Sequence, residues 1–331
     1  MTKTPYSPWN TYLRLALAVL LVSTCWQPYA WAQESNYPDR PIRILIGFAY
    51  GSITDVFSRI LGQKLQEKWG QPVIVESRAG ASGAIQTAAL AKAKPDGYTI
   101  GIVISTHATN PFFQPQLPYD ALRDFAPITM LGRVPIVMTV NPSVIKETVA
   151  QIVAKSKESP RSFSFGSAGT GGMTHLAGEL FKRAAGIDIV HVSYKGGAAA
   201  LKDLLGGQIP LEFSTVGLVA ALHKSGKLKT VAIASKTRSA ALPDVPTFTE
   251  LGFPEVVVEE WYAMVAPAGT PAPILLRLNT EIGAILKMPD VQRKMTGMDL
   301  GGSTPGELDS FIRSEAERWS KLISAANLKM E

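Results

Sequence analysis

Residues 48–55, with the sequence F-A-Y-G-S-I-T-D, are the most informative stretch of this 331-residue chain. They follow an apolar, β-prone run at 42–46 and precede a run with helical spacing at 56–69. A turn that contains Gly between a strand and a helix leaves the first N–H groups of the helix without internal acceptors, and the helix dipole adds partial positive charge there. The stretch therefore predicts a site for an anion that needs no side-chain cation.

A second stretch, at residues 163–172, has the same organisation. The sequence F-S-F-G-S-A-G-T-G-G joins a short β-prone run to a helical run that starts at Met173. Either loop alone is weak evidence, because most Gly-rich loops are simply turns. Two such loops in a chain long enough for two α/β domains predict an anionic ligand held between them.

The first 32 residues have the pattern of a secretory signal peptide. Lys3 and Arg14 give a positive region, residues 15–22 an apolar one, and Ala30-Trp31-Ala32 an A-x-A cleavage site, so we expect the mature chain to begin at Gln33. The apolar run is too short to span a bilayer. A lipoprotein is the alternative, but Thr24 precedes the single cysteine, Cys25, where a small residue is usual. We expect a product exported to a bacterial periplasm.

The composition excludes several kinds of site. If cleavage follows Ala32, the mature chain has no cysteine, which excludes disulfides, thiolate catalysis and cysteine metal sites. Loss of Lys3 and Arg14 lowers the formal net charge from +6 to +4. The remaining basic residues are dispersed among acidic and apolar ones, which is typical of solvated helix faces and not of a nucleic-acid surface.

Short β-prone runs alternate with helical runs through the mature sequence, which predicts an α/β fold with parallel sheets covered by helices. Strands are predicted at 42–47, 72–76, 99–104, 127–130, 135–140, 162–166, 189–193, 209–213, 229–234 and 256–265. Helices are predicted near 54–69, 83–93, 145–157, 173–185, 197–206, 216–225, 271–287, 289–296 and 305–326. We expect a discontinuous first lobe, 33–137 plus 258–331, and a second lobe, 138–257, with one loop in each.

Catalytic and metal-binding patterns are weak in this sequence. The four histidines lack the spacing of metal ligands, and there is no nucleophile elbow, dinucleotide fingerprint or P-loop. We expect His191 to pack in the core, and His107 and His175 to brace the neighbouring loops by hydrogen bonds. No catalytic residue, metal or cofactor is predicted.

The chain resembles the Bug (TctC-type) solute-binding receptors of tripartite tricarboxylate transporters. The resemblance is carried by Y-P-D-R-P-I-R at 37–43, F-A-Y-G-S-I-T-D at 48–55, P-D-G-Y-T at 95–99, residues 107–111, L-P-Y-D at 117–120, residues 166–181 and 194–208, L-P-D-V-P-T at 242–247 and A-P-A-G-T-P at 266–271. These segments cover essentially the whole mature chain in the family's order.

The resemblance implies a type II-like periplasmic binding protein, or Venus flytrap, with two doubly wound lobes joined by strand crossovers. It implies a monomer that closes over a small organic carboxylate and delivers it to membrane transporter subunits. In this family, backbone N–H groups and waters of two facing loops hold the carboxylate. When the family's ligand-binding positions are placed on this sequence, the residues expected to bind the ligand are Ala49, Tyr50, Gly51, Ser52, Thr54 and Asp55, then Ser105 and Thr106, then Ser167, Ala168, Gly169, Thr170, Gly171, Thr174 and His175.

This sequence departs from the family within its first loop. Tyr50 stands where the family usually has Pro, and Ser52 where it has Gly. We expect the Tyr50 ring to enter the cleft and reshape the pocket, and Asp55 to order the loop without touching the carboxylate. A sensor subunit that presents the same solute to a signalling kinase is the alternative function. An enzyme is a distant third, because no base–nucleophile pair is recognisable.

Overall fold

The computed structural model describes residues 37–114, 116–295 and 297–325. The predicted signal peptide, 1–32, lies outside the described residues. Among the helices of the described residues, none is both long and apolar enough to cross a membrane.

The first part of the fold, from Pro38, alternates strands and helices as predicted. Its elements are β1 (Ile42–Ile46), α1 (Ile53–Trp69), β2 (Val73–Ser77), α2 (Ala84–Ala91), β3 (Thr99–Ile104) and α3 (Thr106–Phe113), with a 3-10 turn at Ala81–Gly83. The strand β1 pairs in parallel with both β2 and β3. The helix α1 starts at the N-cap Ser52 and ends at Gly70, whose φ of 68° suits a residue without Cβ.

A long strand, β4 (Phe125–Val140), joins the two halves of the sheet. The sequence predicted two strands here, at 127–130 and 135–140, because Gly132 and Pro135 resemble a break. That prediction was wrong: the strand stays continuous and absorbs irregularities as register shifts at Pro127/Thr129 and Met130/Gly132.

The second half repeats the alternation. Its elements are α4 (Val149–Glu158), β5 (Ser164–Ser167), α5 (Met173–Ala185), β6 (Val190–Ser193), α6 (Gly197–Leu205), β7 (Leu211–Thr215), α7 (Val216–Lys224) and β8 (Lys229–Ile233). The strand β5 pairs in parallel with β6 and β7. The described chain closes with β9 (Glu259–Pro267), α8 (Ala272–Leu286), α9 (Pro289–Lys294), β10 (Asp299–Leu300) and α10 (Pro305–Ala325).

The strands that cross between the halves are antiparallel, so the sheet is mixed and not wholly parallel as predicted. The order along the sheet is β2-β1-β3-β9-β4-β7-β5-β6, and β9 runs antiparallel to both β3 and β4, as does β7 to β4. All parallel strands end with their carboxyl ends at loops that lead into helices, which is where open α/β sheets bind ligands.

Two hydrophobic clusters stabilise the halves. One contains Phe165, Phe181 and Phe213, and the other contains Leu45, Val103 and Trp261. The helix α10 contributes to both, with Ile312 in the second cluster and Trp319 in the first. The lobe boundaries at 137/138 and 257/258 stay a prediction.

Candidate anion-binding site

The loop before α1 is held by its own helix. Gly51, with φ 84°, donates its N–H to Asp55 Oδ2 at 2.9 Å. Ser52 Oγ accepts the N–H of Asp55 at 3.4 Å, as an N-cap does. Asp55 Oδ1 also accepts from Arg59 Nε at 2.9 Å. These contacts match the ordering role predicted for Asp55.

Tyr50 is fixed beside this loop by two neighbours. Its hydroxyl oxygen accepts the N–H of Ser77 at 3.3 Å, and the Arg59 guanidinium carbon lies 5.5 Å from its ring centroid. The side chain is nevertheless 60% exposed. Contact with a ligand at this ring stays a prediction.

The loop before α5 has a similar set of bonds. Gly171, with φ 81°, donates its N–H to His175 Nδ1 at 3.1 Å. The N–H of Ala168 bonds Thr174 Oγ1 at 2.9 Å, and the N–H of Gly169 bonds Ser167 Oγ at 3.2 Å. Side chains of the loop and of the first helical turn therefore hold three N–H groups of this loop.

Two stacked histidines lie against this second loop and form hydrogen bonds with it. The rings of His175 and His191 stack with their centroids 4.0 Å apart, and His191 Nε2 lies 2.7 Å from Ser167 Oγ. Burial, with further contributions from His191 and Lys182, lowers the pKa of His175 to about 3. Burial and Lys182 lower the pKa of His191 to about 4. Both rings are therefore neutral at physiological pH.

Several N–H groups at the two helix starts lack an acceptor in the protein. Within the part of the chain that the structure describes, no bond is made by the N–H groups of Ile53, Thr54, Thr170, Met173 and Thr174. Met173 and Thr174 are buried, and a buried N–H group without a partner is costly. These groups therefore require water or a ligand as their acceptor.

The helix α3, which the sequence did not predict, connects the loop before α5 to the 3-10 turn at Ala81–Gly83. Its Thr109 hydroxyl donates to the Gly171 carbonyl at 3.2 Å. On the other side, Thr106 Oγ1 and Asn110 Nδ2 donate to the Ser82 carbonyl at 2.8 and 3.1 Å. Ser82 and its neighbour Ala81 have φ of 51° and 48°, a strained conformation for residues with a Cβ. Hydrogen bonds from α3 therefore hold a strained turn.

Ser105 and Thr106 were expected to line the cleft, but each donates its hydroxyl proton to an acceptor within the protein. Ser105 is fully buried and donates both its hydroxyl and its N–H to the Glu260 carboxyl group, the N–H bond measuring 3.2 Å. Burial raises the pKa of Glu260 to about 7, although the bonds from Ser105 oppose the shift. No sequence pattern signalled this pair, because Glu260 lies 155 positions away.

His107 lies in the core and not on a loop surface. It is buried, its Nε2 lies 2.8 Å from the Ala121 carbonyl oxygen, and burial lowers its pKa to about 4. The described residues hold no group of three or more His, Cys, Asp or Glu side chains suited to a metal ion.

The family model described as "Tripartite tricarboxylate transporter family receptor" matches residues 57–328. The chain belongs to this receptor family. Protein BugT of Bordetella pertussis is 36% identical to the receptor over 300 residues, which cover 89% of this chain and 92% of BugT.

Two solved structures resemble the receptor over nearly the whole described fold. "R. palustris Rpa4515 with adipate" is 31% identical with a TM-score of 0.79, and the match covers 89% of this chain and 100% of that one. "MatC (Rpa3494) from Rhodopseudomonas palustris with bound malate" is 27% identical with a TM-score of 0.74, covering 87% and 100%. The family consists of periplasmic solute-binding proteins and not of enzymes, and the α/β binding-protein fold predicted from the sequence is confirmed.

Proposed function

We propose that the protein is a periplasmic receptor that binds a small organic carboxylate at the N-termini of α1 and α5 and delivers it to membrane transporter subunits. The observation that carries this proposal is the set of unpaired N–H groups at residues 53, 54, 170, 173 and 174. Helix N-termini bind carboxylates through such groups and through the helix dipole.

The site recognises an anion without a dedicated side-chain cation. Arg59, which is near the first loop, is already paired with Asp55 at 2.9 Å. Backbone donors then supply the attraction, and they suit the planar, two-oxygen geometry of a carboxylate. Solved structures of relatives contain adipate and malate, which are both small organic carboxylates.

Closure of the lobes would complete the site. A binding protein with two lobes buries its ligand by hinge motion. The helix α3 supports such a closure, because it contacts both predicted lobes. Its Thr106 bonds the Ser82 turn, and its Thr109 bonds the Gly171 carbonyl. The predicted signal peptide supports a periplasmic site of action, and we propose a monomer.

Native mass spectrometry of gently purified protein, followed by a thermal-shift panel, tests this function. We expect a retained small acid, and stabilisation by diacids such as adipate and malate. The diamide of adipic acid is the matched control, since it has the same carbon skeleton without charge, and it should not stabilise the protein. If no acid in the panel raises the melting temperature, the proposed function is wrong.

A further inference from the structure

Glu260 lies where the sheet passes from one half of the fold to the other. In β9 it pairs with Val134 of β4, and Tyr262, two residues on, pairs with Ile104 at the end of β3. Glu260 therefore extends past the carboxyl end of β3, the edge at which open α/β sheets bind ligands. In the order β1-β3-β9 it is two strand spacings, about 10 Å, from β1, which leads into the loop at 48–55.

The side chain of Glu260 points to the face of the sheet that α1 covers. Its neighbour Trp261 packs in the cluster that contains Leu90 of α2, and successive side chains of a strand alternate between the two faces. The connections β1-α1-β2 and β2-α2-β3 run in opposite directions along the sheet, so right-handed connections place α1 and α2 on opposite faces. Glu260 is therefore on the side of α1 and of its anion-binding loop.

The two carboxyl oxygens of Glu260, a half-buried residue, have different surroundings. Oε1 accepts the N–H of Ser105 at 3.2 Å and also the Ser105 hydroxyl. In the part of the chain that the structure describes, no bond reaches Oε2, and this atom is open to solvent. Because two donors occupy Oε1, a proton on this carboxyl group is carried by Oε2. The protonated group then presents an O–H donor at this edge of the sheet.

The titratable groups on the elements around Glu260 are paired or neutral. On β4, Arg133 pairs with Glu259 at 3.6 Å on the other face of the sheet. On its own strand, Tyr262 keeps its proton, because burial raises the pKa of this phenol well above its ordinary value. The others are Asp55 and Arg59 on α1, which pair at 2.9 Å, and the neutral His107 on α3. The charge of Glu260 therefore depends on its burial and on Ser105.

We propose that Glu260 is a specificity-determining residue of the ligand site. Protonated on Oε2, it donates a hydrogen bond to the end of the ligand that lies away from the two Gly-rich loops. A second carboxylate is favoured there, because a neutral acid donates a strong hydrogen bond to a carboxylate, whereas an ionised one repels it. Binding of a diacid then takes up one proton from the solvent, and Glu260 holds it. This inference rests on the proposed function, since it assumes that the loops hold the first carboxylate.

Glu260→Gln keeps the acceptor for Ser105 and carries a permanent N–H donor in place of the proton. With adipate as the probe, we expect the wild-type Kd to rise at least about fivefold from pH 6.5 to 8.5, since the uptake of one proton allows up to about tenfold per pH unit. The Kd of Glu260→Gln should change less than about twofold. Glu259→Gln is the matched control, because its carboxyl group lies on the other face, and it should keep the wild-type profile.

The monoamide of adipic acid tests the contact at the far end of the ligand. Its amide both accepts and donates hydrogen bonds, so it suits the protonated and the ionised form of Glu260 alike. We expect its affinity for the wild type to stay within about twofold over the same pH range. A pH dependence as steep as that of adipate would place the titrating group elsewhere and would overturn the inference.

Titration calorimetry in two buffers of different ionisation enthalpy counts the proton directly. At pH 8, adipate should take up most of one proton on binding to the wild type and none on binding to Glu260→Gln. The inference is overturned if the wild type binds adipate without proton uptake, if Glu260→Gln takes up as much as the wild type, or if only monocarboxylates bind. Those results leave the proposed function standing. If no acid binds at any pH, the proposed function and this inference are both wrong.

Discussion

The hydroxyl of Thr109 donates a hydrogen bond to the carbonyl of Gly171, 3.2 Å away. Gly171 is thereby held from two sides, since its N–H is bonded by His175 on α5 and its carbonyl by α3. The side chain of Phe113, also on α3, packs so closely on Gly171 that a Cβ there would lie 2.9 Å from the ring. The position of the second loop is therefore set jointly by its own helix and by α3.

Replacing Thr109 by Val removes this hydrogen bond and keeps the shape of the side chain. We expect diacid affinity to fall by roughly threefold to tenfold, since one bond that orders the loop is worth about 1 kcal/mol. Titration calorimetry measures the loss, and Thr109→Ser, which keeps the hydroxyl, should bind like the wild type. Equal affinities of Thr109→Val and the wild type would show that the bond does not order the loop.

Replacing Gly171 by Ala introduces both a clash and backbone strain. The left-handed backbone costs about 1 kcal/mol for a residue with a Cβ, and the contact with Phe113 adds roughly 1–3 kcal/mol. Gly226→Ala is the matched control, because Gly226 has φ 73° and open space around its Cβ position. Urea denaturation should show a clearly larger loss for Gly171→Ala. Equal losses would mean that Phe113 moves aside without cost.

The buried carboxyl group of Glu212 predicts a pH-dependent stability. Neither of its oxygens has a hydrogen-bond partner among the described residues, and burial raises its pKa to about 8. The unfolded chain has the ordinary value of about 4.5, so the folded state holds the proton more tightly. The stabilisation is complete below about pH 4.5 and is lost as pH rises through 8, with an upper limit of a few kcal/mol.

Glu212→Gln tests this prediction, because the amide cannot ionise. We expect its melting temperature to fall less than that of the wild type between pH 5 and 8. The exposed Glu158 offers a control, and Glu158→Gln should keep the wild-type pH profile. Parallel profiles for Glu212→Gln and the wild type would mean that Glu212 finds a partner in solution.

Variants at position 50 test whether the departure of Tyr50 from the family pattern affects which carboxylate the protein prefers. We expect Tyr50→Phe, which loses only the bond from the Ser77 N–H, to keep the order of affinities across a panel of carboxylates. Tyr50→Pro introduces the residue that the family usually has and should change that order, since it removes the ring from the loop at 48–55. An unchanged order for Tyr50→Pro would exclude the ring from the ligand pocket.

The elements that follow local rules could be predicted from the sequence. The strand β1 is an apolar run, and α1 begins at a Ser cap three residues before an Asp, so both were found with bounds within a few residues. The helix α3 was missed because Asn110-Pro111 resembles a turn. Contacts of Thr109 and Phe113 with the other half of the fold stabilise this short helix despite its internal Pro.

The sequence indicated the two loops of the candidate site but not the side-chain contacts that hold them. The repeated pattern Gly-x-x-Thr followed by Asp55 or His175 is present in the sequence, and it could have indicated the shared loop geometry. The pairing of Ser105 with Glu260, and of Ser167 with His191, could not be read from spacing, because folding brings residues 155 and 24 positions apart into contact. Side-chain partners far apart in sequence depend on tertiary packing, which local propensity does not encode.

A crystal structure of the mature protein with adipate tests the central claim most directly. We expect the carboxylate oxygens to lie about 3 Å from the N–H groups of residues 170, 173 and 174 at α5 and of residues 53 and 54 at α1. A concavity of about 670 Å³ elsewhere on the protein, lined in part by Pro135, Gly217 and Lys224, offers a different place for a ligand. Adipate bound there, with both helix N-termini left to water, would contradict the account.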